Sequence, residues 1–233
     1  MSGLLSEISG YLSDRANWIG EAGLINRALD HLWISLAATL LAAVLILPLA
    51  LYLAHHRRAE FLATSLVNMG RAIPAFGIIG LALPISIALG WGLGFWPTFV
   101  ALVALAMPPI FTNTYTGVLR VRSDVVEAAR GMGLKGGQVL TQIEIPLAMP
   151  LIWTGIRVSA VQVAATATLG AVVGWGGLGR YLIDGFAQGD DAQIVVGALA
   201  VALLALLIDG AFAMGERFLP GEQKADRFSS VTA

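Results

Sequence analysis

Two charged residues stand where charge is costly. Arg157 and Asp209 lie inside runs apolar enough to cross a bilayer, and an ionisable group is retained there only if it pairs, snorkels or lines water. At 1.5 Å per residue Arg157 falls about 10 Å beyond Pro150. Asp209 precedes Glu216 by a similar stretch on a returning run, so the spacing predicts an inter-helix ion pair; the alternative sends both groups to cytoplasmic headgroups or water. Thr166 and Thr168, nearby, either line a path with their hydroxyls or bond back to helix carbonyls. His31, His55 and His56 read as interfacial, because no carboxylate or thiol cluster accompanies them at metal-ligand spacing; no metal site is expected. Asp184, Asp190 and Asp191 are the nearest thing to an acidic catalytic group and read as an ordinary outer loop. Trp153, Trp175, Tyr115 and Tyr181 have faces that attract a quaternary ammonium, yet interface anchoring is the favoured reading. The chain has no cysteine, which excludes disulfides and thiol chemistry, and no Gly-x-x-x-x-Gly-Lys-Ser/Thr phosphate loop, so it does not hydrolyse ATP itself.

The elements that position these residues follow from composition. Of 233 residues 57% are hydrophobic and 12% charged, about half the charge of a soluble domain. A spanning helix needs about 20 apolar residues, and five segments qualify: roughly 32–54, 64–89, 96–119, 150–174 and 192–215. The second carries Pro74, Gly77, Gly80 and Pro84 and is expected to be bent or broken. Basic residues collect on cytoplasmic loops. With the N-terminus outside, Arg57, Arg58, Arg71, Arg120, Arg122, Arg130, Lys135, Arg217, Lys224 and Arg227 all fall inside, ten of the fourteen Lys and Arg. Trp33, Trp91, Trp96 and Trp175 then mark the outer interface and Trp153 the inner one. The Gly170–Gly174 spacing in the fourth span favours close helix packing. The expected organisation is an all-α integral membrane protein with an amphipathic extension over 1–30, a transmembrane domain over 31–217, and a cytoplasmic tail over 218–233. A net charge of −1 gives no general attraction for nucleic acid.

The longest cytoplasmic stretch, 120–149, is too patterned for a linker. Ser123 is expected to cap a helix, with Asp124 at its first position complementing the dipole. Glu127, Ala128, Ala129 and Arg130 continue it, and Gly131 and Gly133 permit the positive φ that ends it. Gly136 and Gly137 allow another turn before a second short helix near 138–143, which Pro146 and Pro150 stop before the next span. The result is a helical hairpin whose alanines admit a close partner surface and whose Glu127 and Arg130 supply charge at the rim. A solvated connector is the plain alternative.

Glu127-Ala128-Ala129, Gly133 four residues beyond Ala129, and Ile143 followed by Pro146 resemble the EAA motif of ABC importer permeases. Gly155-Ile156-Arg157, Thr166-Ala167-Thr168-Leu169, Gly174-Trp175-Gly176-Gly177-Leu178-Gly179 with Ile183, and Arg71-Ala72-Ile73-Pro74 look similar to the permeases for glycine betaine, choline, carnitine and related osmoprotectants. The resemblance covers about 31–215 and implies the type I ABC importer permease fold in the cell membrane. It further implies a coupling role for Glu127, Ala128, Ala129, Arg130, Gly133 and Pro146. The partners implied are a cytoplasmic ABC ATPase dimer, an extracytoplasmic substrate-binding protein and a second permease chain, the same or related. No cofactor is expected on this chain, ATP and magnesium belonging to the ATPase. Competing readings are a permease for another small polar solute, a passive channel, or a membrane-embedded enzyme.

Overall fold

The computed structural model describes residues 2–57, 65 and 74–218, and every regular element among them is helical. Helix α1 covers Ser2–Ser13 and is followed by a 3₁₀ turn, Arg15–Asn17; α2 runs Leu24–His55, α3 Ala75–Ala88 and α4 Phe95–Leu119. Helix α5 covers Ser123–Gly131 and α6 Gly136–Val139; a wide π-type turn, Leu140–Glu144, leads into α7, Ile145–Thr166, which tightens to 3₁₀ over Ala167–Val173. Helix α8 spans Gly179–Gln188 and α9 Asp191–Glu216.

Four helical stretches are long and apolar enough to cross a membrane: Leu24–His55, Phe95–Leu119, Gly136–Val173 and Asp191–Glu216. The second expected span appears here as α3, whose 14 residues reach about 21 Å against about 30 Å of hydrocarbon. Residues 64 and 66–73 of that expected span, Arg71-Ala72-Ile73 included, lie outside the described residues, as do Arg58, Lys224 and Arg227. The first span starts earlier than its hydropathy suggests. Asn26, Arg27, Asp30 and His31 extend α2 back to Leu24, since polarity sets where a helix leaves lipid and not where its hydrogen bonds stop. Gly20, at φ +105°, turns the chain just before it.

The largest departure is in the fourth span. Pro146 and Pro150 were expected to separate the second hairpin helix from the membrane helix, yet the chain is helical without a break from Gly136 to Val173. The wide turn explains this. Ile145 N–H donates to Leu140 O, five residues back, so the carbonyl ladder is already displaced where the Pro146 ring needs room.

The chain divides into two compact units. Unit 1 comprises Met1–Leu41, Ile73–Ala106 and Ala160–Ile208, and unit 2 comprises Ala42–Ala72, Met107–Ser159 and Asp209–Ala233. Unit 1 is packed around Ile34, Ile79, Leu102, Val163 and Leu178, all essentially inaccessible. Gly170 admits Thr98 where a Cβ would come within 2.5 Å of it. Gly174, expected to share that packing, instead takes φ +91° at the end of the 3₁₀ segment, with nothing near its missing side chain. In unit 2, Gly155 lets α7 lie against α4: a Cβ there would meet Asn113 at 2.8 Å and the Pro109 carbonyl at 3.0 Å.

Candidate functional site: the cytoplasmic hairpin and its anchorage

Helix α5 is short, and it is held by its own small core. Val121, Val126, Ala129 and Val139 are buried together, with Leu134 and Ile143 packed on them. Gly133 at φ +93° makes the turn, and Leu134 N–H returns to Ala129 O. Gly131 ends the helix in ordinary conformation and does not supply the positive φ expected of it, and Gly136 and Gly137, expected in a turn before the second short helix, are its first residues. Ser123 is the first helical residue and not the cap; that place belongs to Arg122, which makes no side-chain capping bond. Arg122 instead pairs with Asp124, and its guanidinium holds the Asp124 carboxyl below its ordinary range.

This packing sorts the motif into two faces. Ala129 is 1% exposed and belongs to the hairpin core, which corrects its placement on the docking surface. Glu127, Ala128 and Arg130 are exposed. Between Gly131 and Gly133 stands Met132, 75% exposed. The sequence carried a signal for it, an apolar residue flanked by two glycines at a hairpin tip, that the motif comparison did not use. Pro146 lies in the first turn of α7, beyond the wide turn.

Beside α5 is an open cleft of about 610 Å³ lined by His55, Arg57, Ser123, Glu127, Arg130 and Glu144, among others. Ser123, Glu127 and Arg130 are one stripe of α5 at helical spacing. His55 Nδ1 lies 2.6 Å from Glu144 Oε2, and their side chains are only 9% and 7% exposed. His55 Nε2 faces Gly136, whose missing Cβ would sit 3.4 Å away. His55 therefore joins the end of α2 to the hairpin and is not an interfacial side chain, whereas His56 is exposed.

Further along α7, Arg157 donates from Nε to Asp209 Oδ1 at 2.7 Å and from Nη2 to Asp209 Oδ2 at 2.8 Å. Nη1 reaches Glu216 Oε2 at 3.1 Å. The paired geometry is the planar fork that a guanidinium offers a carboxylate. Trp153 reinforces the same seam: Nε1–H donates to Phe212 O at 2.9 Å, and the indole lies against Gly215. It is thus a contact between α7 and α9, not a free anchor. Tyr115 is buried and stacked on Phe111.

The remaining candidates lie in unit 1. Thr166 Oγ1 donates to Gln162 O at 2.7 Å and Thr168 Oγ1 to Ala165 O at 2.9 Å, both bonding back along the helix. Trp175 packs edge-on to Phe95, which also meets Trp96. Tyr181 is 3% exposed, its hydroxyl reaching Asn17 O and Ala22 O. His31 is 1% exposed, corrected from interfacial to core. Neither histidine could be placed by sequence, because the partners of His31 are backbone groups and the partner of His55 is 89 residues away. Among the described residues no group of three or more His, Cys, Asp or Glu is arranged to hold a metal ion.

Residues 46–218 match the family described as the binding-protein-dependent transport system inner membrane component. The chain is 34% identical, over 83% of its length and 87% of the relative's, to a glycine betaine/carnitine/choline transport system permease of Bacillus subtilis. To an osmoprotectant import permease of Salmonella typhimurium it is 32% identical, over 85% and 90%. Among solved structures, a chain of the inward-facing MetNI methionine ABC transporter superposes with a TM-score of 0.74 at 21% identity, covering 84% of this chain and 96% of that one.

Proposed function

Because the chain belongs to the family of binding-protein-dependent transport system inner membrane components, a multi-pass membrane permease of ABC importers with osmoprotectant-transporting relatives, we propose that it forms the path for a small osmoprotectant and couples that path to a separate ATPase. The observation that carries the coupling role is the division of the hairpin into faces. Val121, Val126, Ala129 and Val139 hold it from within, leaving Ala128 and Met132 exposed, with Glu127 and Arg130 exposed at the edge of the cleft. A small-faced knob with charge at its rim fits a cleft on a protein partner and has no purpose in a passive connector. The asymmetry of basic residues supports an outside N-terminus and a cytoplasmic hairpin. The substrate class favoured by the relatives is a zwitterionic or cationic quaternary ammonium compound, delivered by an extracytoplasmic binding protein to a path shared with a second permease chain. Pro146 in this reading sets the rigid entry into α7. ATP and magnesium are held by the ATPase.

The test is purification of the tagged chain from native membranes beside its Glu127→Lys variant, with identification of the associated proteins. An ABC ATPase recovered with the native chain and lost with the variant is the expected result. No ATPase under several mild detergents would sink the coupling role. Uptake of labelled glycine betaine, choline and carnitine by cells lacking other carriers then selects the substrate.

A further inference from the structure

The hairpin is attached to the membrane helices by the chain at both of its ends and by one side-chain contact. At its start α4 ends at Leu119, just before α5 begins at Ser123, with Val121 between them already in the hairpin core. At its end α6, the wide turn and α7 form unbroken helix from Gly136 to Val173, so there is no slack between the hairpin and that span. The side-chain contact is that of His55 with Glu144 and Gly136, at the last residue of α2. Glu144 sits within the wide turn itself, at the junction of hairpin and span. Both side chains are nearly enclosed, and a buried charge or donor left without its partner is costly. That cost makes the contact a specific connection between two elements.

Resting on the importer reading above, we propose that His55 and Glu144 are positioning residues for coupling, fastening α2 to the hairpin so that its displacement is carried to α2 as well as to α4 and α7, the two spanning helices joined to it by the chain. The hairpin does not need this bond to fold. Its core of Val121, Val126, Ala129 and Val139 contains neither residue, and the exposed face of Glu127, Ala128, Arg130 and Met132 is formed on α5 and its turn. Integrity of the knob and transmission from it are therefore separable. Cutting the bond leaves the ATPase docked and active while α2 no longer follows. The cleft beside the pair, lined by Ser123, Glu127 and Arg130 from α5 and by Arg57 beyond α2, leaves α5 room to move relative to the end of α2 once the bond is gone.

The experiment uses the full complex reconstituted in vesicles and measures ATP hydrolysed per substrate imported for the native chain, His55→Ala, Glu144→Ala, and the exchange His55→Glu with Glu144→His. For each single variant the expected result is normal recovery of the ATPase, hydrolysis near the native rate, and a rise of about tenfold in ATP used per substrate moved, the size of an ordinary coupling term. The exchange brings the ratio back toward native, because it restores an imidazole–carboxylate hydrogen bond between the same two elements. An unchanged ratio in both single variants overturns the proposal. So does a parallel fall of import and hydrolysis that the exchange does not repair, since that is the signature of general damage. Failure of the native complex to import at all is distinguishable, and overturns the importer reading instead.

Discussion

The two units fasten their segments with different chemistry. In unit 1 the links between elements are neutral side chains bonded to backbone: His31 Nε2 to Ala164 O at 2.7 Å, Leu178 N–H to His31 Nδ1 at 3.3 Å, and Tyr181 to the Asn17 and Ala22 carbonyls. Among the described residues of unit 1 the ion pair, Arg180 with Asp184, stays within one helix. In unit 2 the links run side chain to side chain between separate elements, the ion pairs of Arg157 with Asp209 and Glu216 and the imidazole–carboxylate contact of His55 with Glu144. Trp153 to Phe212 O is the exception there. A side chain bonded to buried backbone has no second partner to move to, so it fixes one arrangement of loop and helix. The side-chain pairs of unit 2 are partly enclosed, so a member left alone is costly, and each pair joins one helix to another. The difference teaches that unit 1 fixes loops and helices through their backbone, whereas unit 2, which carries the hairpin, ties whole helices together side chain to side chain.

The harshest way to break the comparison is to disturb the close backbone approach in unit 1. A Cβ on Gly179 would lie 2.2 Å from Thr168 O and 2.8 Å from Thr168 Cα. Both are main-chain atoms that cannot rotate away, so Gly179→Ala should cost at least about 3 kcal/mol, the upper end of ordinary overpacking. Thermal unfolding in detergent is expected to show a large loss. Stability within a few degrees of native would mean that unit 1 yields more readily than its packing implies.

Asp209→Ala should come next, this time in unit 2. It leaves Arg157 with Glu216 alone, and the lost fork geometry should reduce the yield of monodisperse protein. Adding Arg157→Gln should recover part of that yield, because a neutral residue in lipid is tolerated better than a stranded cation. No recovery in the double variant would show that the guanidinium serves by packing and not by charge.

How much of this was legible in the sequence depends on what each residue bonds to. The membrane spans were readable because hydrocarbon thickness demands long apolar runs. The Arg157–Asp209 contact was readable because charge inside such a run requires a reason. The hairpin turn was readable from Gly133, but the helical continuity after it was not: Pro146 and Pro150 carry the ordinary signal for a helix stop. The five-residue bond at Ile145, a local shift of the helical ladder, makes room for Pro146, and Pro150 stands inside α7 without ending it. Tyr181 and His31 were misplaced for a different reason. Their types suit an interface, and nothing local announces that distant carbonyls will enclose them.

His31→Gln sharpens the neutral side of the comparison. His31 Nδ1 accepts from Leu178 N–H, which fixes the proton on Nε2, where it donates to Ala164 O. A glutamine offers both a donor and an acceptor but not the ring's spacing, and each backbone group left unpaired costs about 1–3 kcal/mol. The expected loss in thermal stability is smaller than for Gly179→Ala and insensitive to salt, whereas any residual effect of Asp209→Ala should change with ionic strength. Salt sensitivity of the His31 variant would contradict the neutral assignment.

The smallest effect is expected at Tyr181, and pH resolves it. Removing the hydroxyl in Tyr181→Phe forfeits one shared hydrogen bond, about 1 kcal/mol. Burial pushes the phenol up to about 12, with the neighbouring Tyr11 phenol adding to it. A free tyrosine ionises near 10. The folded form therefore keeps its proton through a range where the unfolded chain has lost it, and stability that is complete below pH 10 should fall as pH rises from 10 toward 12. Phenolate absorbance followed along that range should show a late-titrating tyrosine in the native protein that is missing in Tyr181→Phe, and the variant should lose stability less steeply above pH 10. If the late step persists in the variant, Tyr11, also raised by burial, is its source. The hydroxyl of Tyr181 would then be open to water, and its bonds to Asn17 and Ala22 would not be the seal that holds the first helices against α8.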